Sequence, residues 1–111
     1  MTQVNYSGKT VYIDGTEIEM PSEVVNTASV DGIVLVHCHN GELEPRNVVA
    51  LDSDGNRLWR IQPLKKEGEE SARRVNHLTV ADDFVQVRDG HGDRYRVDLE
   101  TGDVEFIGWS R

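Results

Sequence analysis

The sequence of 111 residues contains one cysteine, Cys38. A single thiol excludes an intramolecular disulfide and a thiolate-rich metal cluster, and this scarcity is typical of proteins from a reducing compartment. Long apolar runs are absent too. None approaches the roughly 20 residues that span a bilayer, and the first residues have neither the basic nor the apolar part of a secretion signal. We therefore expect a cytoplasmic protein with no membrane segment.

Positive charge is also scarce, because three lysines and nine arginines stand against twenty carboxylates, for a net charge of −8. A surface of this sign repels phosphates, so neither nucleic acid nor an anionic membrane is an expected partner. The hydrophobic fraction of 37% is ordinary for a folded chain, and a chain of this length can bury one core without disulfides. The sequence predicts a single domain over residues 1–111.

Signals for helices are weak throughout the sequence. Only Pro21–Val25 and Glu67–Arg74 offer room for a turn or two, and the charged segment Lys65–Arg74 has no apolar face. We interpret the 62–74 connection around that segment as a mobile, solvated loop, with a charged docking loop as the alternative.

Strand signals, in contrast, are dense. Short runs rich in Val, Ile, Thr, Tyr and Phe are separated by Asp14-Gly15, Asp31-Gly32, Asp54-Gly55 and Gly102-Asp103. An Asp-Gly pair between such runs is a strong hairpin signal, because both residues tolerate positive φ angles. The pattern predicts an antiparallel all-β protein with strands at Asn5–Tyr6, Thr10–Ile13, Thr16–Met20, Val24–Val30, Ile33–His39, Asn47–Leu51, Arg57–Ile61, Val75–Ala81, Phe84–Asp89, Tyr95–Leu99 and Val104–Trp109.

The sequence contains an internal repeat, approximately over residues 24–61 and 75–109. Ser29–Val36 and Val80–Val87 share a strand, turn, strand pattern, and Ala50–Trp59 shares a second one with Val97–Phe106. The connection between the two patterns is longer in the first unit, and surface loops absorb such length changes cheaply. The chain is therefore predicted to contain two similar four-strand units.

A four-strand unit of about 50 residues has the dimensions of a β-propeller blade. Two blades cannot close a ring, so they must cover their sheet faces by packing on each other, by using the N-terminal hairpin as a lid, or by assembly with other chains. We predict two blade-like four-stranded antiparallel units packed as a sandwich or open barrel, plus an N-terminal hairpin. The predicted core contains Val34, Val36, Val49, Leu51, Trp59, Ile61, Val85, Val87, Val97, Leu99 and Phe106.

Two segments resemble known repeats. Asn47–Ile61 resembles the strand, turn, strand core of a quinoprotein-type propeller repeat, with Ala-Leu-Asp ending one strand and Trp59 on the next, and Tyr95–Val104 resembles it more loosely. From Thr16 to Phe106 the chain is also similar to a family of small uncharacterised microbial all-β proteins. The resemblance implies a fold and no activity. Because the quinone-binding residues of quinoproteins have no counterpart here, it also implies no cofactor.

His37-Cys38-His39 is the strongest candidate for chemistry. Residues two apart on a strand point to the same face, so both imidazoles could approach one metal ion. Cys38 would point the other way, as a small buried hydrophobe. A third ligand would come from His77, His91 or a carboxylate.

The surroundings of these histidines are predicted from the repeat. Arg88 occupies the position of His37 in the second unit, and Gln86 that of Leu35. Both are polar, so we expect the face with the histidines to be partly solvated. Histidines that are exposed or locally hydrogen-bonded are then the alternative to a metal site at His37 and His39.

The paired acids have an explanation other than catalysis. Turns explain the three pairs, Asp52 with Asp54, Asp82 with Asp83 and Glu69 with Glu70, because Asp in a turn bonds nearby backbone amides. A calcium loop that starts at Asp52 is disfavoured, because its twelfth position is Pro63 and not a bidentate carboxylate. No Gly-x-Ser-x-Gly motif is present. We expect no catalytic residues.

Composition and motifs together favour a non-enzymatic interaction or binding module. An acidic protein of this size would mask a basic protein partner, as immunity proteins do with toxins, and charge complementarity would speed the encounter. One alternative is a metal-binding protein or metal-dependent enzyme centred on His37 and His39. Another is a structural protein that assembles through exposed sheet edges. We expect a monomer or small homo-oligomer with a protein partner.

Overall fold

The computed structural model describes residues 3–39, 45–65, 71–81 and 84–109, and within these ranges the protein is all-β, without helix. The strands are β1 (Val4–Ser7), β2 (Thr10–Ile13), β3 (Thr16–Glu19), β4 (Glu23–Val30), β5 (Ile33–His39), β6 (Val48–Leu51), β7 (Arg57–Arg60), β8 (His77–Ala81), β9 (Phe84–Arg88), β10 (Asp93–Val97) and β11 (Val104–Trp109). Each predicted strand is present, with ends that differ by up to two residues, and the predicted all-β class is confirmed. Among the described residues, no helical segment has the length and apolar character that crossing a bilayer requires.

The strands form three antiparallel sheets, none of them closed, in the orders β1-β2-β3, β4-β5-β6-β7 and β8-β9-β10-β11. We call these the first, second and third sheets. The two predicted four-strand units are the second and third sheets. The N-terminal element is larger than the predicted hairpin, because β3 pairs with β2 after the Asp14-Gly15 turn, where both residues have positive φ angles of 49° and 87°.

The second sheet is the middle layer, and both of its faces are buried. On β5, Val34 and Val36 face the first sheet, whereas Leu35 faces the third sheet. Successive side chains point to opposite faces of a strand, so a run in which every residue is apolar serves two cores at once. The three layers agree with the predicted sandwich-like packing.

Two hydrophobic cores result from this layering. The first core lies between the first and second sheets and contains Val11, Ile13, Met20, Val24, Val34, Val36, Cys38, Val49 and Leu51. The second core lies between the second and third sheets and contains Leu35, Val48, Ala50, Trp59, Ile61, Leu64, Val75, Leu78, Val85, Val87, Tyr95 and Val97.

Nine of the eleven predicted core residues are buried. Leu99 is partly buried against the second core. Phe106 was expected to match Trp59, but it is 41% exposed. It lies on the edge strand β11, where its ring makes an edge-on contact with Tyr95 at a centroid distance of 5.8 Å. None of the other described strands pairs with the outer side of β11, so the aromatic ring keeps one side in solvent.

In the last turn of each four-stranded sheet, a glycine packs against a side chain of the preceding sheet. A Cβ atom on Gly55 would lie 2.8 Å from Cγ1 of Ile18, and one on Gly102 would lie 2.5 Å from Cε3 of Trp59. Trp59 also donates its indole N–H to the carbonyl of Leu99 at 2.8 Å. The turns therefore pack tightly against the adjacent sheets, at positions where there is no room for a Cβ atom.

The charged connection before the third sheet is anchored at its described ends. Leu64 is fully buried, and its carbonyl accepts the N–H of Arg73 at 3.0 Å. The Arg73 guanidinium contacts the carboxylates of Asp89 at 3.4 Å and Asp93 at 3.1 Å. Arg73 therefore does not belong to a solvated loop as predicted, because two buried carboxylates hold it. Residues 66–70 of the predicted loop lie outside the described residues, as does the predicted Asp82-Asp83 pair.

We predict that Gly102→Ala destabilises the protein by about 3 kcal/mol, because the methyl group overlaps Trp59 and the φ angle of +80° disfavours a side chain. The matched control is Gly15→Ala, at a φ of +87° with nothing within 4 Å, which we expect to cost about 1 kcal/mol. Urea denaturation followed by tryptophan fluorescence measures both. Equal losses in the two variants would contradict the interlocking of Gly102 with Trp59.

Candidate functional site

The second and third sheets are joined by a buried polar clamp around the backbone of Val75, just before β8. The Val75 N–H donates to Asn47 Oδ1 at 2.8 Å. Its carbonyl accepts from Asn47 Nδ2 at 3.0 Å and from His37 Nε2 at 2.8 Å. Val75 and Asn47 are fully buried, and His37 is 2% exposed. Because a buried peptide group left without partners costs about 1–3 kcal/mol, the clamp fixes where the third sheet begins.

His37 has a structural role in this clamp. A carbonyl oxygen only accepts, so Nε2 carries the proton in this bond. Burial lowers the pKa of His37 below its ordinary 6.5. The bond to Val75 opposes that shift, and the nearby His39, His77 and Arg74 add to it. The prediction of a partly solvated face is wrong at His37, because the segment that leads into β8 covers it.

His39 lies beside His37 on the same face of β5, as their spacing predicts. The two ring centroids are 5.0 Å apart and the rings are nearly perpendicular, at 87°. Nε2 of His39 is buried without a hydrogen-bond partner. Cys38 points into the first core on the opposite face, where burial raises the pKa of its thiol to about 11. A buried thiol with a raised pKa stays protonated at neutral pH and packs as a small hydrophobe.

Adjoining cavities open around His77, where the β4 edge of the second sheet meets β8. One cavity of about 290 Å³ is lined by His37, His39, Asn76 and His77. Another of about 320 Å³ lies between His77 and His91 and includes Arg88. A smaller one of about 120 Å³ extends from His77 and Arg88 onto the outer face of the third sheet. We call the surface formed by His37, His39, Asn76, His77, Arg88 and His91 the histidine groove, which contains all four histidines of the chain.

The side chains of the groove are placed by strands and by one tight turn. His77 begins β8 and lies directly opposite Arg88 of β9 in the antiparallel register. His91 lies at the tip of the β9–β10 turn, where Oδ1 of Asp89 accepts the backbone N–H groups of His91 at 2.9 Å and Asp93 at 3.0 Å. Asn76 precedes His77, and its backbone N–H donates to the carbonyl of Arg88 at 2.8 Å.

The described walls of the groove contain few acidic side chains, although the chain as a whole is acidic. Among the described residues, Asp89 is the one carboxylate that lines the three cavities, and it contacts Arg73 and two backbone N–H groups. Oδ1 of Asn76 is buried without a partner, as Nε2 of His39 is. The site thus combines imidazoles, an arginine and two buried polar atoms, His39 Nε2 and Asn76 Oδ1, which have no hydrogen-bond partner among the described residues.

The structure brings the two predicted site residues together with His77, one of the suggested third ligands. His37, His39 and His77 line one cavity, whereas His91 lies on the next. Within the described ranges, no group of three or more His, Cys, Asp and Glu residues is arranged to hold a metal ion. Nε2 of His37 already donates a hydrogen bond to the carbonyl of Val75, so Nδ1 is the ring nitrogen that remains for a ligand.

The sequence analysis missed the polar residues of the clamp and groove, which are Asn47, Asn76 and Arg88. A signal for Asn47 was present, since an amide stands directly before four consecutive buried residues at 48–51. Such an amide has to bond buried backbone. Arg88 ends a strand in which apolar and polar residues alternate. This pattern indicates that the Arg88 side chain points outward, but it does not indicate which residues surround it.

The paired acid at Asp52 serves a turn, as predicted. Oδ1 of Asp52 accepts the N–H groups of Asp54 at 2.9 Å and Asn56 at 2.8 Å. The backbone N–H of Asn56 lowers the pKa of the Asp52 carboxyl, which therefore stays ionised. Asp89 bonds its own turn in the same manner, so this device recurs in the second and third sheets.

Comparisons with known proteins add a family and a fold. The profile of a family described as a domain of unknown function, DUF7957, matches residues 1–109. No curated protein matches the chain. Among solved structures, the crystal structure of the computationally designed Ika8 protein is similar, with 17% sequence identity and a TM-score of 0.57. The alignment covers 96% of this chain and 36% of that one, so the chain spans about a third of the designed protein's length. At this identity the likeness concerns the fold alone.

We predict that His37 makes the protein sensitive to acid. The pKa of His37 is lowered in the folded state, so the unfolded chain binds the proton more readily once the pH falls below 6.5. The free energy of unfolding should therefore decrease as the pH falls below that value, by at most about 1.4 kcal/mol per pH unit for one proton. His37→Gln, which keeps an N–H donor, should flatten the profile between pH 6.5 and 5.

Urea denaturation at half-unit pH steps measures this profile. His91→Gln is the matched control, since His91 is exposed on a turn, and it should keep the wild-type slope. A His37→Gln profile as steep as that of the wild type would contradict the assignment.

Proposed function

From the premise that this chain belongs to the DUF7957 family, a domain whose description assigns no activity, we propose that it is a non-enzymatic binding module whose ligand occupies the histidine groove. One observation carries the proposal: the four histidines, which are spread over three parts of the chain, converge with Arg88 on adjoining cavities at the seam between two sheets. Clefts between layers that contain a few convergent polar groups are the usual location of ligand sites.

Two features of the groove support binding. The buried atoms His39 Nε2 and Asn76 Oδ1 have no hydrogen-bond partner, and an unmet buried polar group costs free energy that a ligand recovers. The wall residues are also held in place before any ligand arrives, because the clamp fixes Val75 and the Asp89 turn fixes His91. A wall that is ordered in advance reduces the entropy cost of binding.

Three further features support a role without catalysis. The thiol of Cys38 lies on the opposite face with a pKa of about 11. The carboxylates of Asp52 and Asp89 are engaged in their own turns. His37 uses Nε2 to hold the backbone of Val75. These particular groups, of kinds that enzymes use as nucleophiles and general acids, are engaged in the structure here.

Chemical-shift mapping on the ¹⁵N-labelled protein tests the proposal, with inorganic phosphate, acetate, Zn²⁺ and a lysine-rich peptide as probes. We expect at least one probe to shift the amides of His39, Asn76, His77 and His91 saturably. His77→Gln should weaken the binding of that probe by about tenfold, which is the usual effect of losing one hydrogen bond to a charged group.

Arg57→Gln is the control, because it removes a positive charge from the exposed strand β7, on the opposite edge of the second sheet. It should leave the affinity of the groove for the probe unchanged. If no probe shifts the amide signals of the groove, the proposal of a binding module is wrong.

A metal-binding protein centred on His37 and His39 is the second candidate, favoured by the 5.0 Å separation of their rings and by the unpartnered Nε2 of His39. It predicts one transition-metal ion per chain in native mass spectra recorded without chelators. The ion should disappear in His39→Gln and persist in His91→Gln, which alters the neighbouring cavity. Bare wild-type protein would remove this candidate.

Masking of a basic protein partner rests on a different surface. The outer face of the first sheet has the exposed carboxylates of Glu17 and Glu19, and Asp14 and Glu23 lie at its ends. Lys9 is the single basic residue from 3 to 23. In the mapping experiment, shifts at Glu17 and Glu19 with the lysine-rich peptide would support this partner, and shifts confined to the groove would remove it.

The repeat of four-stranded sheets supports two further proposals, namely assembly through sheet edges and similarity to propeller blades. Each four-stranded sheet is a meander whose first strand, β4 or β8, lies at the seam, and β3, β7 and β11 are the strands at the opposite edges. Unpaired edges of this kind are able to extend a sheet into another chain. The native mass spectra report the mass of the assembly together with its metal content, and a monomer would remove this reading.

A further inference from the structure

The first sheet has one strand fewer than the other two sheets. In each sheet a turn that contains Gly15, Gly55 or Gly102, with φ angles of 87°, 88° and 80°, leads into the last strand, which is β3, β7 or β11. Counted back from these turns, β1 corresponds to β5 and β9. The second and third sheets continue beyond those strands to β4 and β8, whereas none of the described strands pairs with the outer side of β1. The position beside β1 is therefore the one that β4 and β8 occupy in their own sheets.

Backbone groups of β1 face this position. The carbonyl of Gln3 accepts the N–H of Asp14 at 2.9 Å, at the end of a regular antiparallel register between β1 and β2. Every second residue of such a strand bonds the same neighbour, so the backbone of Asn5 also points toward β2. The backbone groups of Val4 and Tyr6 then point away from β2, and no described group bonds them. Tyr6 is 40% exposed, so this edge is accessible from solvent.

The other described sheet edges have features that discourage further pairing. Three edge strands contain a shift in register that leaves one extra residue, which is Val25 on β4, Leu58 on β7 and Ile107 on β11. On β8 the carbonyl of Leu78 accepts a bond from the side chain of Asn26 at 3.2 Å, and β3 has two exposed glutamates. Bulges and charges are common means of blocking edge pairing. In β1, by contrast, all four residues are uncharged and pair with β2 without a shift.

β4 of the second sheet lies next to the open edge of β1. Oη of Tyr6 donates to the carbonyl of Val25 at 2.9 Å, and the N–H of Val24 donates to the carbonyl of Gly8 at 2.8 Å. If β1 paired with β1 of a second copy, both second sheets would lie on the same side of the joined sheet, because antiparallel pairing keeps the faces aligned. The second sheet of the added copy would then meet β4. A single extended segment brings no such layer, so the position favours one strand of a partner over a second copy.

The surroundings of this position determine which side chains fit there. Val4 packs against the first core, and Tyr6 lies two residues further on the same face. Alternate side chains of an added strand would lie beside these two residues, where β-branched residues pair well with an aromatic ring. The remaining side chains would lie on the outer face of the first sheet, which has the exposed carboxylates of Glu17 and Glu19. On that face, and against a net charge of −8, basic side chains are favoured.

We propose that the open edge of β1 binds an extended segment of a partner protein, in which β-branched residues alternate with basic ones, as an added antiparallel strand of the first sheet. Backbone hydrogen bonds to Val4 and Tyr6 supply affinity in this mode of binding, and the alternating side chains supply specificity. The surface is separate from the histidine groove, so the inference does not depend on the proposed function.

Hydrogen exchange of the ¹⁵N-labelled protein tests the proposal, with a short peptide in which lysine alternates with valine as the probe. In the free protein we expect the amides of Val4 and Tyr6 to exchange faster than that of Asn5, which bonds β2. With the peptide at about ten times its Kd, exchange at Val4 and Tyr6 should slow by about tenfold, because these amides exchange from the free edge. Exchange at Asn5 should change much less.

Tyr6→Pro separates backbone pairing from side-chain contact. It removes an N–H that the pairing of β1 with β2 does not use, and proline is tolerated on an edge strand whose N–H faces outward. The variant should weaken the peptide by about tenfold or more, as loss of a backbone hydrogen bond and a clash with the pyrrolidine ring do. Tyr6→Ala is the matched control, because it also removes the phenol ring but keeps the N–H. It should weaken the peptide by at most about fivefold, the effect of one cross-strand pair of side chains.

Several outcomes would overturn the proposal. One is an unchanged exchange rate at Val4 and Tyr6 in the wild-type protein with peptide, which decides the matter even if Tyr6→Pro does not fold. Another is equal weakening in Tyr6→Pro and Tyr6→Ala. Protection of the two amides that rises with protein concentration in the absence of peptide would replace the partner segment by a second copy. A peptide with glutamate in place of lysine should bind more weakly, and equal binding would overturn the basic character of the partner.

Discussion

The hydrogen bonds of Asn47 and His37 to the backbone of Val75 are the constraint on which the rest of the structure depends. They are buried, they join the second sheet to the segment that leads into the third sheet, and they decide where β8 starts. Because Val75 is fixed, the next two residues, Asn76 and His77, lie where β4 of the second sheet meets β8, and they line the groove. A stabilising contact of the fold therefore also positions the candidate site, and His37 belongs to both.

The layered arrangement explains what the sequence could predict of the fold and what it could not. Alternating apolar residues between Asp-Gly turns were sufficient to find the strands and both four-strand units. Periodicity identifies the faces of a strand but does not say what covers them. Positions 37 and 88 are equivalent in the repeat, yet His37 is buried beneath the start of the third sheet and Arg88 faces outward from the last layer. Phe106 faces the same side as Tyr95 but lies on the edge strand β11, where it stays 41% exposed.

The candidate site was predictable in part for a related reason. Two histidines separated by one residue had to share a face of β5, and their rings do meet. The approach of His77, His91 and Arg88 depends on how two sheets pack, at separations of 38 residues or more from His39 along the chain. Local pattern carries no information about such contacts. The buried amide of Asn47 was the residue whose sequence context pointed to the clamp, because an amide before a wholly apolar strand needs a backbone partner.

The outer faces at the two ends of the stack differ in their described side chains. Glu17 and Glu19 lie on the outside of the first sheet, whereas Arg88 and Arg94 lie on the outside of the third, and two apolar cores separate the two faces. A charged partner therefore meets different side chains at the two ends of the stack, whatever the net charge of the chain.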